Sequence, residues 1–580
     1  MMRRVFCSPV AGLMLAITAI LGVGYSSAQA QAPRAARPTP HLVFSTYLGG
    51  SVPFVPTSSA LTFAQNAACD AQGNTYVTGA TTVSDLPVLN AYQASPALGS
   101  TMSAFVAKYN PAGQLLWCTY LGGNNQSMGV GVAAMPNGGV AVMGITTSVA
   151  PVPFPTVNAY QGQNNGNSDY FVTVYDANGN ITYSTYLGGS GVEGQLPPYA
   201  DDQNSGNCVA VDAQGLVYIA GMTTSGGGSG ATIFPVTANA LQSNLAGTRN
   251  ACLSIIDPTK SGQGSLVYSS FLGGDHDTQG HSVAVNPSGS YITVAGFTTS
   301  LNLPTTATAY RRFPPPNGFA LNCSNGFVAQ FESSQPGVLS WRYCTYLGGN
   351  TSSARDDVYG MVLDPTGLIV ATGRTQSADF PMTQGGPSIY NSEQPNTNDD
   401  EPYLVKIDPA LSGAASLVYS TFLGGGSTAS SPRSWGSFCT SVGVDSIGTV
   451  YVAGETNAPG GQYVSSSQPV VAPEDYPYTP NALFTTPQGS WDAMFMQIAP
   501  GGSTLGYSTY LGGTLNDRTY GLAVDRAGNV VLTGLTFSAN FPLRNPAQTW
   551  PGNAGSQNAF VTKFSAQVDN QGVLLLLLNN

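Results

Sequence analysis

Short apolar runs of strand length, separated by turns rich in Gly, Pro and Asn, recur along the chain. Val209–Gly221 reads Val-Ala-Val-Asp-Ala-Gln-Gly-Leu-Val-Tyr-Ile-Ala-Gly, and Leu522–Gly534 reads Leu-Ala-Val-Asp-Arg-Ala-Gly-Asn-Val-Val-Leu-Thr-Gly. Two β-rich runs joined by Asp-x-x-Gly predict a hairpin of strands A and B, because Asp hydrogen-bonds into the turn and Gly takes positive φ. A third run, strand C, follows as Ala104–Lys108, Tyr170–Val174, Gly326–Gln330 and Ala559–Lys563. A turn such as Asn110-Pro-Ala-Gly113 then leads into strand D.

Strand D carries a phrase that occurs seven times. It is Ser-Thr-Tyr-Leu-Gly-Gly from Ser45, and it returns, with Cys, Ser or Phe variants, from Cys118, Ser184, Ser269, Cys344, Ser420 and Ser508. The spacings of 73, 66, 85, 75, 76 and 88 residues each hold one A-B-C-D unit. Four antiparallel strands repeated radially predict an all-β fold, a seven-bladed β-propeller. The chain begins with a D strand (Leu42 to Leu48) and its last unit ends at strand C, so the N-terminal strand is expected to complete the seventh blade. The alternative is that Val573 to Leu578 forms that strand.

These phrases resemble the SBBP (seven-bladed β-propeller) repeat family of bacterial secreted and cell-surface proteins. Tyr-Ser-Thr-Tyr-Leu-Gly-Gly, Ala-Val-Asp-x-x-Gly, Ser-x-Asp-Phe-Pro (Ser377 to Pro381) and Ala-Phe-Val carry the resemblance over most of the chain. Met135 and Asn286 depart from it at the turn Asp of the second and fourth units. The resemblance implies a fold and an extracellular setting, without an established catalytic motif or ligand.

The first residues agree with that setting. Met-Met-Arg-Arg, an apolar stretch from Val5 to Val23 and Ser-Ser-Ala-Gln-Ala ending at Ala30 read as a signal peptide. The expected organisation is signal peptide 1–30, linker 31–41, propeller 42–566 and C-terminal tail 567–580, exported and without a transmembrane segment. Only 8% of residues are charged and the net charge is −11, which argues against nucleic acid as a partner.

Alternating strand direction puts the short A–B and C–D turns on one face of the disc and the long B–C and D–A loops on the other. Long loops on a rigid scaffold are where binding is expected. Trp435, Trp491 and Trp550 fall in such loops of adjacent blades, and with Tyr463, Tyr476 and Tyr478 they form a candidate aromatic platform for a sugar face or protein. The competing reading is that these rings pin the loops down.

Acidic residues gather at the starts of A strands, at Asp201 and Asp202, Asp275 and Asp277, Asp356 and Asp357, and Asp517. Asp202, Asp277, Asp356 and Asp517 are the candidate ligands for Ca²⁺, the one cofactor considered, against the simpler account that each caps its own loop. The turn aspartates Asp70, Asp212, Asp364, Asp445 and Asp525 are assigned to hairpin chemistry. His276 and His281 share a segment with Asp275 and Asp277, a conceivable acid/base or metal pair. Of the seven cysteines after the leader, Cys323 and Cys344 are the candidate disulfide, since they flank one C–D hairpin.

The expected function is a non-enzymatic binding or adhesion module for polysaccharide or extracellular protein. The alternatives are a carbohydrate-active hydrolase or lyase using carboxylates on the long-loop face, and a scaffold without a small ligand. No Gly-x-Ser-x-Gly or His-Glu-x-x-His motif names a catalytic residue.

Overall fold

The structure, a computed structural model, describes residues 40–565 except 57, 197–206, 228–229, 317, 320–322, 351–352, 384–399, 425–435, 464–474 and 553–555. It contains seven four-stranded antiparallel sheets, each ordered A-B-C-D. Blade 1 comprises A (Thr62–Cys69), B (Thr75–Thr81), C (Ser103–Tyr109) and D (Leu115–Leu121). The A strands of blades 2 to 7 are Ser127–Ala134, Val209–Val211, Thr278–Val285, Asp356–Leu363, Ser437–Val444 and Asp517–Val524. Each A strand contacts those of the neighbouring blades, which makes A the innermost strand of a closed ring. His41–Leu48 is strand D of blade 7, antiparallel to Asn558–Ser565 from His41 opposite Ser565 to Leu48 opposite Ala559. Closure therefore uses the first strand among the described residues; Val573 to Leu578 lies outside them.

The repeated residues have repeated jobs. Asp70 Oδ1 accepts from the N–H groups of Gln72 and Asn74, and Asp212, Asp364, Asp445 and Asp525 do the same in their own turns. The glycine closing the turn, Gly73 in blade 1, has φ +80°, which only Gly adopts cheaply. In the six blades whose A strand is described from its first residue, that strand has a β-bulge. The bulged residues are Gln65, Val130, His281, Tyr359, Thr440 and Tyr520. Bulges re-aim a side chain, and in blades 4 and 6 the bulged residue meets the next blade. His281 Nδ1 lies 3.1 Å from the Val358 carbonyl, and the Thr440 hydroxyl donates to the Thr519 carbonyl.

Opposite the bulge, strand B has Gly in a Gly-x-Thr phrase. A Cβ on Gly79, Gly296, Gly373, Gly454 or Gly534 would overlap an A-strand carbonyl oxygen. The Thr of that phrase bonds the first residue of strand A, as in Thr62–Thr81, Ser127–Thr146, Thr278–Thr298 and Ser437–Thr456.

The Ser-Thr-Tyr-Leu-Gly-Gly phrase fastens the long loops. The Tyr120 hydroxyl accepts from Leu86 N–H and donates to the Val83 carbonyl; Tyr47, Tyr186 and Tyr346 repeat both bonds. The B–C loops then run along strand D of their own blade, with paired bonds Leu89–Cys118, Val157–Ser184 and Ser45–Arg544. This covers the outer sheet edge, which would otherwise template aggregation. Much of the loop length that sequence assigns to a binding face is thus spent on the rim.

Candidate functional site

The predicted site residues do not come together. Trp435 and Asp202 lie outside the described residues. Tyr476 is fully buried, its ring 4.7 Å from Tyr510 and its hydroxyl bonded to Ser508, and Tyr463 is 5% exposed in the same cluster. Neither presents a ring face to a ligand, because a short parallel pairing of Gly460–Gln462 with Tyr476–Tyr478 tucks the blade 6 loop against the sheet. Tyr478 is half-buried beside Gly460. Trp550 is half-buried on the rim, edge-on to Tyr47 at 5.2 Å, while Trp491 sits against Phe438 of an innermost strand at 6.4 Å. The two indoles occupy opposite radial positions and do not form one platform.

The aspartates do not converge either. Asp356 is fully buried and accepts from Thr375, Ser377 and Gly349 N–H. Asp517 accepts from Ser538 and Gly513 N–H. Asp277 meets Thr248 and Arg249. Asp356 and Asp517 stand at the A-strand start where other blades place Ser or Thr and bond within their own seam, while Asp277 is held by the blade 3 loop, so these three described aspartates do not make one Ca²⁺ site. Among the described residues no three His, Cys, Asp or Glu form a metal-binding group. Burial pushes Asp356 up to about 6 and Asp517 up to about 7.

His276 and His281 also part. His276 is exposed and 3.0 Å from Asp275, whereas His281 is buried, stacked on Tyr359 at 5.6 Å, with burial pushing its imidazole down to about 4. Cys344 is opposite Ala329, four residues into a strand that starts at Asn325. At ~3.3 Å per residue the strand start alone is about 13 Å along from that pairing, and Cys323 precedes the start, so the two are beyond disulfide reach. None of the seven described cysteines is joined in a disulfide.

What the fold does gather is a run of charge on the inner strands of blades 5 to 7. The residue pair just outside the bulge is Phe63 opposite Ala80 in blade 1 and Met128 opposite Ile145 in blade 2. These four belong to one buried apolar cluster with Leu535. In blade 5 the same pair is Asp357 opposite Arg374; in blade 6 it is Phe438 opposite Glu455, and in blade 7 Arg518 opposite Leu535. Arg374 Nε is 3.2 Å from Asp357, and its Nη1 is 3.1 Å from Asp400. Arg355 approaches the same Asp357 oxygen at 3.5 Å, and Ser324 of blade 4 donates to the other at 2.7 Å. Arg518 Nε is 3.0 Å from Glu455, tying blade 7 to blade 6. Tyr359 lies under the Arg374 guanidinium at 5.6 Å.

Burial alone would raise the Asp357 carboxyl; Arg374 and Arg355 instead bring it below its ordinary value. The inner members, Asp357, Arg374 and Glu455, have side chains 1–6% exposed, whereas Arg355, Asp400 and Arg518 are 22–32% exposed. Sequence reading noted Asp357 and missed the arginines and Glu455. Their signal is the middle position of Gly-x-Thr, which is Ala80, Ile145, Met222, Phe297, Arg374, Glu455 and Leu535 in turn.

Residues 506–542, which span strand D of blade 6 and the A–B hairpin of blade 7, match the family model described as SBBP, Beta-propeller repeat. The fold is a seven-bladed β-propeller, and the seam of blades 6 and 7 carries an SBBP repeat. No curated protein matches the chain. Among solved structures, the chain is similar to Kuenenia stuttgartiensis hydrazine synthase (8% identity, TM-score 0.36, covering 82% of this chain and 95% of that one). It is also similar to the Xanthomonas campestris gluconolactonase XC5397 (10%, TM-score 0.28, 73% and 96%) and the Neurospora crassa Pan2 WD40 domain (10%, TM-score 0.27, 71% and 93%).

Proposed function

We propose that this propeller is an exported, non-enzymatic binding module that engages polysaccharide or extracellular protein through the D–A ends of blades 5 to 7. The observation that carries the reading is Asp357 with Arg374 at positions where blades 1 and 2 hold Phe63 with Ala80 and Met128 with Ile145. The repeat supplies its own control. The fold accepts apolar pairs there, and a buried ion pair generally adds no stability over a well-packed apolar pair. Charge kept at such a position is best accounted for by recognition, with the half-exposed Arg355, Asp400 and Arg518 forming the outer contact layer.

The test is binding of the mature protein, residues 31 to 580, to polysaccharide and surface-protein arrays with and without Ca²⁺, beside Asp357→Phe/Arg374→Ala. That variant gives blade 5 the pair blade 1 carries. Binding that falls at least tenfold in a variant with unchanged melting supports the proposal. Undiminished binding by the variant overturns it.

A further inference from the structure

A groove of about 380 Å³ lies between blades 3 and 4, within the size range of small-ligand sites. Its walls are the blade 3 B–C loop from Leu241 to Ala246, Asn302 and Pro304 of the blade 4 B–C loop, and Trp341 on strand D of blade 4 (Val338–Leu347). Trp341 is out of pattern. It faces Phe331 across the sheet, and the equivalent pairs elsewhere use Leu42, Leu115, Ile181, Leu266, Leu417 and Leu505. An aliphatic residue satisfies the fold at this position in six blades, so the half-buried indole is not there for closure of the sheet.

The loop facing it is held in place. Gln242 uses both ends of its amide, donating to the Asn244 carbonyl and accepting from Gly273 N–H, and Asn239 donates to the Gly337 carbonyl of the blade 4 hairpin. Asn302 Oδ1 accepts from Asp275 N–H and Asn244 Nδ2 donates to Ser243. These bonds leave Asn302 Nδ2, Asn244 Oδ1 and the Ser243 O–H for a ligand. The groove thus offers a donor, an acceptor and a hydroxyl beside a flat ring, and no charged side chain lines it.

We propose that this groove binds a neutral glycan. Sugar rings offer C–H faces that pack on indole and hydroxyls that both donate and accept, whereas an anionic or cationic ligand would be desolvated here without a counter-charge. The site is separate from the charged positions of blades 5 to 7 and does not depend on them.

The experiment is calorimetry and tryptophan fluorescence of the mature protein with neutral gluco-, manno-, galacto- and xylo-oligosaccharides, with a polyuronate as charged control. Trp341→Leu restores the residue type of the other blades and is expected to fold; Asn244→Ala alters an exposed loop. The expected result is saturable binding of at least one neutral oligosaccharide, weakened tenfold or more by Trp341→Leu and severalfold by Asn244→Ala, with melting unchanged. Full-strength binding by the double variant, preference for the polyuronate, or no binding by the parent overturns the groove. The separate Asp357→Phe/Arg374→Ala variant, which leaves the groove intact, judges the blade 5 to 7 reading independently.

Discussion

Asp492 and Asp517 meet over the α-carbon of Gly512, where a Cβ would overlap Asp492 Oδ1 and lie 2.8 Å from Asp517 Oδ2. The two residues begin strand C of blade 6 and strand A of blade 7. Other seams place neutral groups over the same glycine, Ser103 with Ser127 over Gly122 and Asn250 with Thr278 over Gly273. Asp169 and Glu193 repeat the acid pair over Gly188. The phrase therefore needs Gly at this point because two polar side chains from successive blades close above it.

Both acid pairs make stability depend on pH. Burial raises Asp492 to about 6, Asp517 to about 7 and Asp169 to about 8, and raises Glu193. The groups bonded to them are amides and hydroxyls, namely Gln488 and Gly489 N–H for Asp492, Gly513 N–H and Ser538 for Asp517, and Gln161, Thr223 and Ser225 for the other pair. A carboxyl raised in the folded state holds its proton where the unfolded chain has released it. Its contribution is complete below pH ~4 and is lost as pH climbs through the folded value. His281 acts oppositely, since its depressed imidazole costs stability only below pH ~6.5. Between pH 6.5 and 8.5 the acid pairs, together with Glu401, which burial raises to about 8, release protons, so stability should fall with rising pH, by up to ~1.4 kcal/mol per unit for each proton released. Asp492→Asn/Asp517→Asn should flatten that slope; an unchanged slope would count against the pairing.

Gly454 tests the bulge. An added Cβ would overlap the Phe438 carbonyl oxygen and lie 2.8 Å from the Cys439 α-carbon, both backbone and unable to swing away. Gly454→Ala should cost about 1–3 kcal/mol by overpacking, whereas Gly264→Ala, with nothing within 4 Å, should change stability by less than ~0.5 kcal/mol. Urea unfolding of the two variants reads the difference directly.

What repeats was legible in sequence, and what occurs once was not. Asp70 could be assigned to its turn, and Tyr120 to strand D, because their counterparts recur in register, so a local rule could be checked against its copies. Tyr476 looked like a surface aromatic because its burial depends on a three-residue pairing within a loop of irregular length. Arg374 and Arg518 escaped notice because loops of unequal length hide their equivalence with Ala80 and Met128. The Cys323–Cys344 proposal failed on register, which hydrophobic patterning does not set at a hairpin of this length.

Tyr120→Phe should loosen the rim without opening the core. It leaves Leu86 N–H unpaired and removes the donor to the Val83 carbonyl, a loss of about 1–3 kcal/mol. Blades 3 and 5 already carry Phe271 and Phe422 at this position, so the ring itself packs without its hydroxyl. Hydrogen exchange should accelerate around residues 83–93 while strands Thr75–Thr81 and Ser103–Tyr109 stay protected. Equal acceleration in those strands would mean that the hydroxyl supports the blade rather than its loop.

The closing strand carries the largest expected effect. His41–Leu48 supplies seven residues in register with Asn558–Ser565 and buries Phe44, Tyr47 and Leu48 against blade 7 and its neighbours. Removing residues 31–48 would bare the edge of strand C in blade 7, and a long unpaired edge seeks another strand. The truncated protein should melt well below the parent and, by light scattering, should self-associate. A peptide spanning residues 41–48 added in trans should reverse both, because it restores the missing ladder rather than any catalytic or binding group. Monomeric, fully stable truncated protein would show instead that another segment closes the ring.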